Sequence, residues 1–289
     1  MALSALRRWA AAVLIILCLP LGASALDGMA YTDWFFAGEE SPSGYVDVPG
    51  WGLQRYYAQN DSLWGSLNYE TADTEKHRPL RDGGCGPTSA AMAIRALLEP
   101  DELMEALDKV LASPVSLCVC SINRQGCGYN HARYPLTSAR DCDRFLPLAL
   151  ADMATGNNIF NLHGRTFARG TNMYYISSVV KAMGLDIRNT QDRDEAFRAM
   201  KEGASVFCSS GAGGAFTNVG HYVYLAGYDD ERVFFLDPLC RSEYKTNYAN
   251  ILRIEGNGLV SVRYEDYAKA RIYSYYILTR QEDGVRDDR

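Results

Sequence analysis

Residues 82–98 have the sequence Asp-Gly-Gly-Cys-Gly-Pro-Thr-Ser-Ala-Ala-Met-Ala-Ile-Arg-Ala-Leu-Leu. Glycines surround Cys85 and permit a tight turn, and Pro87 suits the first turn of a helix, where a missing N–H leaves no hydrogen bond unmade. The alanine-rich stretch that follows predicts a buried helix of about 12 residues. Cys85 is therefore expected at the N-terminus of this helix, where free N–H groups favour a thiolate and could hold an oxyanion.

A cysteine in a glycine-rich turn also has two ordinary interpretations, a small buried side chain or one half of a disulfide. A nucleophilic thiol needs a base, so the four histidines decide between these interpretations. His77, His131 and His163 lie in polar, loop-like stretches and are expected to be solvated or at the rim of a substrate site. His221 instead begins the apolar and aromatic stretch 221–228, which predicts a strand.

A second predicted strand, 232–237, follows after the acidic turn Asp229-Asp230. Two short strands joined in this way predict an antiparallel hairpin, in which the start of the first strand lies beside the end of the second. His221 and Asp237 are therefore expected to be neighbours. Alone, the first could be a core histidine and the second a turn acid before proline. Together they favour a pair in which the aspartate fixes the imidazole tautomer and orients the ring toward a nucleophile.

Gln59 begins a further motif, Gln-Asn-Asp-Ser-Leu-Trp, at residues 59–64. A glutamine side-chain N–H is a suitable second donor to an oxyanion, beside the backbone N–H of the nucleophile. Considered by itself, Gln59 could equally be an exposed polar residue.

In this order, the four blocks resemble a known family. Gln-x-Asp-x-x-Trp, Gly-Cys-Gly-Pro-Thr-Ser, Gly-His-Tyr-Val-x-x-x-Gly-Tyr-Asp-Asp and Asp-Pro are similar to motifs of the papain-like cysteine peptidases related to the leader-peptidase domain of bacteriocin exporters. The resemblance implies Cys85 as nucleophile, His221 as base, Asp237 as orienting acid and Gln59 as oxyanion donor. It also implies a papain-like α+β fold, with a helical lobe carrying the nucleophile and an antiparallel sheet lobe carrying His and Asp.

What the resemblance implies about activity is hydrolysis of peptide or amide bonds through a thioester acyl-enzyme, without a cofactor or a metal. The exporter peptidases are cytoplasmic and fused to a transporter, whereas this sequence contains neither a transmembrane bundle nor a P-loop. A double-glycine leader is therefore not the expected substrate, and a peptide or a peptidoglycan-like molecule is. Alternatives are an acyl transferase or cell-wall amidase on the same scaffold, or a catalytically silent binding module.

The first 25 residues predict a secretory signal peptide, with an uncleaved membrane anchor as the alternative. Arg7 and Arg8 form its positive region, residues 11–19 its apolar region, and Ala23-Ser24-Ala25 its cleavage site. The expected location is secreted or in the cell envelope, after cleavage near Ala25. No later run of 18 apolar residues predicts stable membrane insertion, and a formal charge of −6 argues against nucleic acid as a partner.

Export would also change how the eight cysteines are interpreted, because cysteines pair in an oxidising compartment. Loss of Cys18 with the signal peptide leaves an odd number, and the free thiol is expected to be Cys85. The others would form three disulfides, with a connectivity that the sequence leaves open: Cys118, Cys120, Cys127, Cys142, Cys208 and Cys240. A zinc site within about 113–145 is the alternative, but secretion and the absence of a histidine among the closely spaced cysteines favour disulfides.

With 289 residues, 47% of them hydrophobic, the chain has enough apolar residues for a large core and is not a disordered or low-complexity protein. Helices first and strands later predict one α+β domain of two lobes with a cleft between them. The predicted organisation is a signal peptide at 1–25, a non-helical arm at 26–50, a peptidase-like domain at 51–280 with a Cys-rich insertion at about 113–145, and a tail at 281–289. The predicted elements are helices at 101–111, 173–183 and 194–202, the last capped by Asp194, strands at 204–208, 221–228, 232–237, 258–264 and 272–279, and a loop at 209–214.

Overall fold

The computed structural model describes the chain in segments, all of which belong to the unit Gly38–Arg289. These segments are 43–66, 68–70, 78–112, 136, 138–156, 171, 173–217, 220–239 and 251–281. Several predictions from the sequence fall on residues outside these segments: the signal peptide, most of the arm and of the tail, His77, His131, His163, Cys118, Cys120, Cys127 and Cys240.

The helices of the described segments carry the predicted nucleophile and most of one hydrophobic core. Their bounds are α1 Leu80–Gly83, α2 Cys85–Arg95, α3 Pro100–Ala112, α4 Ala139–Gly156, α5 Met173–Ala182 and α6 Arg193–Lys201. The helices predicted after Cys85, at 101–111 and at 173–183 are confirmed as α2, α3 and α5. None of the helices in these segments is long and apolar enough to span a membrane.

The start of α6 corrects the prediction that Asp194 is its N-cap. The cap is Asp192, whose backbone is extended (φ −83°, ψ 113°) and whose carboxylate accepts from the N–H groups of Asp194 and Glu195 at 2.8 and 3.3 Å. An N-cap residue must lie just before the first helical residue to reach these donors. Asp194 already lies in the first turn, where its charge favours the helix N-terminus.

The strands form one large antiparallel sheet and two small pairs. Their bounds are β1 Gly44–Val48, β2 Gly52–Tyr56, β3 Asn68–Glu70, β4 Arg78–Pro79, β5 Leu185–Thr190, β6 Ser205–Ser210, β7 His221–Tyr228, β8 Arg232–Leu236, β9 Leu252–Gly256, β10 Leu259–Arg263 and β11 Ile272–Arg280, with a 3₁₀-helix at Tyr264–Ala270 before β11. The seven-stranded sheet has the order β5-β11-β6-β7-β8-β10-β9, and every neighbouring pair in it is antiparallel. The predicted hairpin of β7 and β8 therefore lies at the centre of this sheet.

The two faces of the central strands serve two separate hydrophobic cores. Along β6 and β7, Phe207 and Tyr224 pack on the face covered by α2, while Cys208 and Val223 pack on the face covered by α6 and the 3₁₀-helix. Alternate residues of a strand point to opposite faces, so burial on both faces requires the nearly continuous apolar sequence of these strands. The sheet lobe is thus a rigid support for groups at the strand ends.

Three predictions about loops and cysteines are wrong. Residues 209 and 210 belong to β6, so only the glycine-rich turn 211–214 remains of the predicted loop. Cys142 lies in α4 and not in a stapled loop, and both Cys142 and Cys208 are free thiols, not halves of disulfides. The reason is their packing, because both are buried as small apolar groups; Cys208 pairs across the sheet with Val223 and Tyr275. In the described part of the chain, no three His, Cys, Asp or Glu side chains are grouped so as to hold a metal.

A buried charge cluster joins the last turn of α2 to β2 and α4. The Asp143 carboxylate lies 2.7 Å from Nε of Arg95 and 3.2 Å from Nη2 of Arg55, and both arginine side chains are buried. The Tyr57 hydroxyl donates to the Asp143 carbonyl oxygen at 2.8 Å, and burial raises the pKa of Tyr57 well above its ordinary value. One carboxylate thus neutralises two buried guanidinium groups from different elements.

We expect Asp143→Ala to lower the free energy of unfolding by about 3 kcal/mol, because it removes the carboxylate that pairs with two buried guanidinium groups. Urea denaturation at neutral pH measures the change. The matched control is Glu99→Ala, since Glu99 pairs with the same Arg95 but its carboxylate side chain is 78% exposed. That variant should cost less than about 1 kcal/mol. Equal losses in the two variants would contradict the role given to the buried cluster.

Candidate active site

Cys85 is the first residue of α2 and its only half-buried one, since Gly86 to Arg95 are all buried. The preceding Gly84 (φ −81°, ψ 14°) has no side chain with which to cap the helix. Its carbonyl is fixed by Thr88, which donates from both its N–H and its hydroxyl at 3.1 and 2.7 Å. The first N–H groups of α2 are therefore left for a bound anion or oxyanion beside the thiol.

Gly86 has to be a glycine because Thr171 packs against it. A Cβ at this position would lie 2.1 Å from the Thr171 hydroxyl oxygen and 2.4 Å from its Cβ. Thr171 is half-buried and comes from just before α5, so it fixes the turn of the nucleophile from a distant segment. The sequence predicted a tight turn from the glycines before Cys85, but it gave no indication that Gly86 packs against Thr171.

His221 and Asp237 form the pair that the hairpin predicted. Nε2 of His221 lies 2.7 Å from Oδ1 of Asp237, and the two residues are 4% and 0% exposed. With Nε2 engaged by the carboxylate, Nδ1 is the ring nitrogen left for the thiol, and Cys85 lies close enough to His221 to help raise the pKa of the imidazole. The structure therefore brings Cys85, His221 and Asp237 together in that order.

The electrostatics of this site favour a protonated imidazole. Burial acts to lower the pKa of His221, but the Asp237 charge, together with hydrogen bonds to Asp237 and Cys85, outweighs burial and raises the pKa to about 9. At neutral pH the ring is then an imidazolium, so it can donate a proton to a group bound beside Cys85.

Backbone groups hold the Asp237 carboxylate in place. The same Oδ1 that faces His221 also accepts from the N–H of Leu239 at 2.9 Å, and the Asp237 N–H donates to the Gly258 carbonyl at 2.9 Å. Hydrogen bonds to a carboxylate favour its ionised form. Neither Leu239 nor Gly258 was found by sequence reasoning, because backbone donors and acceptors carry no residue-specific signal.

Gln59 is hydrogen-bonded both to the chain just before Cys85 and to the chain just after Asp237. Its Nε2 donates to the Arg81 carbonyl at 2.6 Å, four residues before Cys85, and its N–H donates to the Pro238 carbonyl at 2.8 Å. Trp64 supports it from within the same motif, since the buried indole donates to the Ala58 carbonyl at 3.0 Å. Gln59 is 1% exposed, so it is not the exposed polar residue of the alternative interpretation.

The amide group of Gln59 is only partly satisfied. Within the described segments its Oε1 is buried and accepts no hydrogen bond. Its Nε2 carries two hydrogens, of which the bond to Arg81 uses one. A second N–H is thus left for a group bound near Cys85, which is what an oxyanion donor needs.

Comparisons with known proteins give the following matches. Residues 55–269 match the sequence profile described as the Peptidase_C39 like family. A C39-like peptidase structure from Bacillus anthracis is similar at 17% identity, with a TM-score of 0.29, over 41% of this chain and 64% of that chain, just under two thirds of its length. The peptidase domain of Streptococcus ComA, a bifunctional ABC transporter involved in quorum sensing, is similar at 12% identity, with a TM-score of 0.32, over 74% of this chain and 99% of that chain. No curated protein matches the sequence.

We expect iodoacetamide at pH 7 to label Cys85 well before Cys142 and Cys208 in the native protein. Cys85 is half-buried beside His221, whereas burial raises the pKa of Cys142 to about 11 and that of Cys208 well above its ordinary value. Peptide mapping by mass spectrometry after timed quenching measures the three rates. The control is the denatured protein, in which the three thiols should react alike. Equal native rates for Cys85 and Cys208 would contradict the expectation.

Proposed function

Since the chain belongs to the Peptidase C39-like family, we propose that it is a cysteine peptidase with Cys85 as nucleophile, His221 as acid and base, and Asp237 as orienting acid. The observation that carries this proposal is the buried 2.7 Å pair of His221 and Asp237, with Cys85 close enough to the same imidazole to help raise its pKa. A thiol at a helix start needs such a partner before it can act as a nucleophile.

The first half of the proposed reaction forms an acyl-enzyme. The Cys85 thiolate attacks the carbonyl carbon of the scissile bond, and the carbonyl π electrons move onto oxygen to give an oxyanion. The free N–H groups at the start of α2 and the second N–H of Gln59 donate to this oxyanion. His221 then gives its Nδ1 proton to the leaving nitrogen, the C–N bond breaks, the amine leaves, and Cys85 holds the acyl group as a thioester.

The second half returns the enzyme to its starting state. The now neutral His221 takes a proton from water, and the resulting hydroxide attacks the thioester carbonyl carbon. Collapse of this second oxyanion breaks the C–S bond, releases the carboxylic acid and restores the thiolate next to an imidazolium. Asp237 keeps its charge throughout and stabilises the imidazolium at the start and end of the cycle.

For location and substrate, the proposal is a secreted or cell-envelope enzyme acting on a peptide or a peptidoglycan-like molecule. The location rests on the pattern of residues 1–25, with its two arginines, apolar stretch and Ala-Ser-Ala site. The substrate class rests on the C–N bond that the proposed site would cleave and on the location.

Cys85→Ala should reduce kcat on cleaved peptides by at least about a thousandfold, because it removes the nucleophile while leaving the helix start intact. A library of quenched-fluorescent peptides and a preparation of cell-wall fragments serve as substrates. Cys142→Ala is the matched control, since Cys142 is a buried free thiol of α4 and not a member of the proposed triad, and its activity should stay within about twofold of wild type. Activity retained by Cys85→Ala would refute the proposal.

The pH dependence follows from His221. Because its pKa is raised to about 9, kcat/KM should fall above about pH 9 as the imidazolium loses the proton that the leaving amine needs. Since 6.5 is its ordinary pKa, its contribution to folding stability is complete below that pH and is lost as the pH rises toward 9. In Asp237→Asn the decrease in kcat/KM with rising pH should begin at a lower pH than in wild type. Activity profiles from pH 5 to 11 and urea unfolding across the same range measure both effects. If kcat/KM falls at the same pH in Asp237→Asn as in wild type, the proposed pair of His221 and Asp237 is ruled out.

A further inference from the structure

Asp237 is held at both of its backbone groups as well as at its carboxylate. Its N–H donates to Gly258, and its carbonyl oxygen accepts from the buried hydroxyl of Tyr56 at 3.0 Å. Its carboxylate is engaged by His221 and by the N–H of Leu239. Of these contacts outside the proposed triad, only the one from Tyr56 comes from a side chain, so it is the one that a substitution can remove without altering the triad.

Tyr56 is itself closely fitted against the residue that binds Asp237 on the other side. It is 0% exposed at the end of β2. A Cβ added to Gly258 would lie 2.2 Å from two carbons of the Tyr56 ring, so the ring packs directly against the Gly258 backbone. Gly258 has φ +80° and lies in the turn between β9 and β10, where glycine is favoured. Displacing the ring would therefore disturb the Asp237 N–H acceptor as well as its carbonyl.

The segment of residues 56–59 also binds the carbonyl group of Pro238, the residue after Asp237. The Pro238 oxygen accepts from the N–H of Gln59 at 2.8 Å, three residues after Tyr56. Two successive carbonyl groups, of Asp237 and Pro238, are thus bound by one short stretch of chain, residues 56–59. This stretch contains the proposed oxyanion donor, so it fixes the distance between that donor and the orienting acid.

From these contacts we propose that Tyr56 is a positioning residue: its hydroxyl sets the place of Asp237 and, through Asp237, the orientation and charge of His221. This inference rests on the proposed function. The bond from Tyr56 goes to the acid, and the thiol and the imidazole take no part in it. Buried hydrogen bonds are costly to leave unmade, so loss of the hydroxyl lets the Asp237 carbonyl turn toward another donor and loosens the pair with His221.

The test is Tyr56→Phe, which removes one hydroxyl and keeps the ring against Gly258. We expect kcat to fall about three- to tenfold with KM unchanged, since a loosened acid weakens the proton transfer and not the binding of substrate. The descending limb of the kcat/KM profile should move to lower pH, because a less well placed carboxylate stabilises the imidazolium less. The rate of Cys85 alkylation by iodoacetamide, which needs no substrate, should also differ from wild type, because the imidazole beside the thiol is held less firmly.

Tyr267→Phe is the matched control. It also removes a buried hydroxyl with one short hydrogen bond, 2.7 Å to the Tyr275 hydroxyl, but it lies in the core on the other face of the sheet. Thermal unfolding should show a comparable loss of stability in both variants. If the role of Tyr56 is purely structural, the Tyr56→Phe and Tyr267→Phe variants should also have the same kcat, and their kcat/KM should fall at the same pH. That result would overturn the inference.

A double-mutant cycle with Asp237→Asn separates this inference from the proposed function. If Tyr56 acts through Asp237, Tyr56→Phe should cause no further loss of kcat in the Asp237→Asn background. An equal fractional loss in both backgrounds would show that Tyr56 acts by another route and would overturn the inference alone. An Asp237→Asn variant with wild-type kcat and pH limb would overturn the proposed triad, and the role of Tyr56 with it.

Discussion

The buried hydrogen bond between His221 and Asp237, at 2.7 Å, is the constraint on which the arrangement of the sheet lobe depends. An ionised pair in a protein interior is tolerated only when the groups around it satisfy its remaining hydrogen bonds. That requirement explains why β7 and β8 are central neighbours and why the chain after β8 is bound at Asp237, Pro238 and Leu239. A looser loop would leave the carboxylate mobile, and the pKa of His221 would fall.

Charged residues at both ends of α2 fix the position of the nucleophile. At its start, Cys85 lies beside His221 and helps raise the pKa of the imidazole; in its last turn, Arg95 is bound by Asp143. Between them the helix is buried on all sides and consists mainly of small residues, which let it approach β6 and β7 closely. A helix fixed in this way has little freedom to shift along its axis, so the distance from the thiol to the imidazole is set by the whole length of α2 and not by the glycine turn alone.

The sequence predicted the features that depend on local sequence patterns, but it did not predict those that depend on contacts between distant segments. The family resemblance, the α+β papain-like fold, the helix after Cys85 and the β7–β8 hairpin followed from motifs, periodicity and turn residues. Strands such as β1, β2, β5 and β9 were not predicted because they are short or largely polar, and their pairing partners define them. Cys142 and Cys208 were each expected to form a disulfide because an oxidising compartment was expected. In the structure both pack in the hydrophobic cores as free thiols. Thr171 and Tyr56 are invisible to sequence patterns, since each acts through a contact with a residue far along the chain.

The spacing of these contacts bears on when the site exists at all. Tyr56 and Asp237 are 181 positions apart, and the bond between them joins the last residue of β2 to the residue that follows β8. Contacts at such separation are entropically costly to form and follow local structure in folding. Helix α2, with Cys85 at its start, is by contrast built from neighbours in sequence. A partly folded chain can therefore present the thiol before Asp237 is bound, but the imidazolium beside the thiol depends on an acid held by residues that are distant in sequence. Reactivity of Cys85 is in this way tied to completion of the fold.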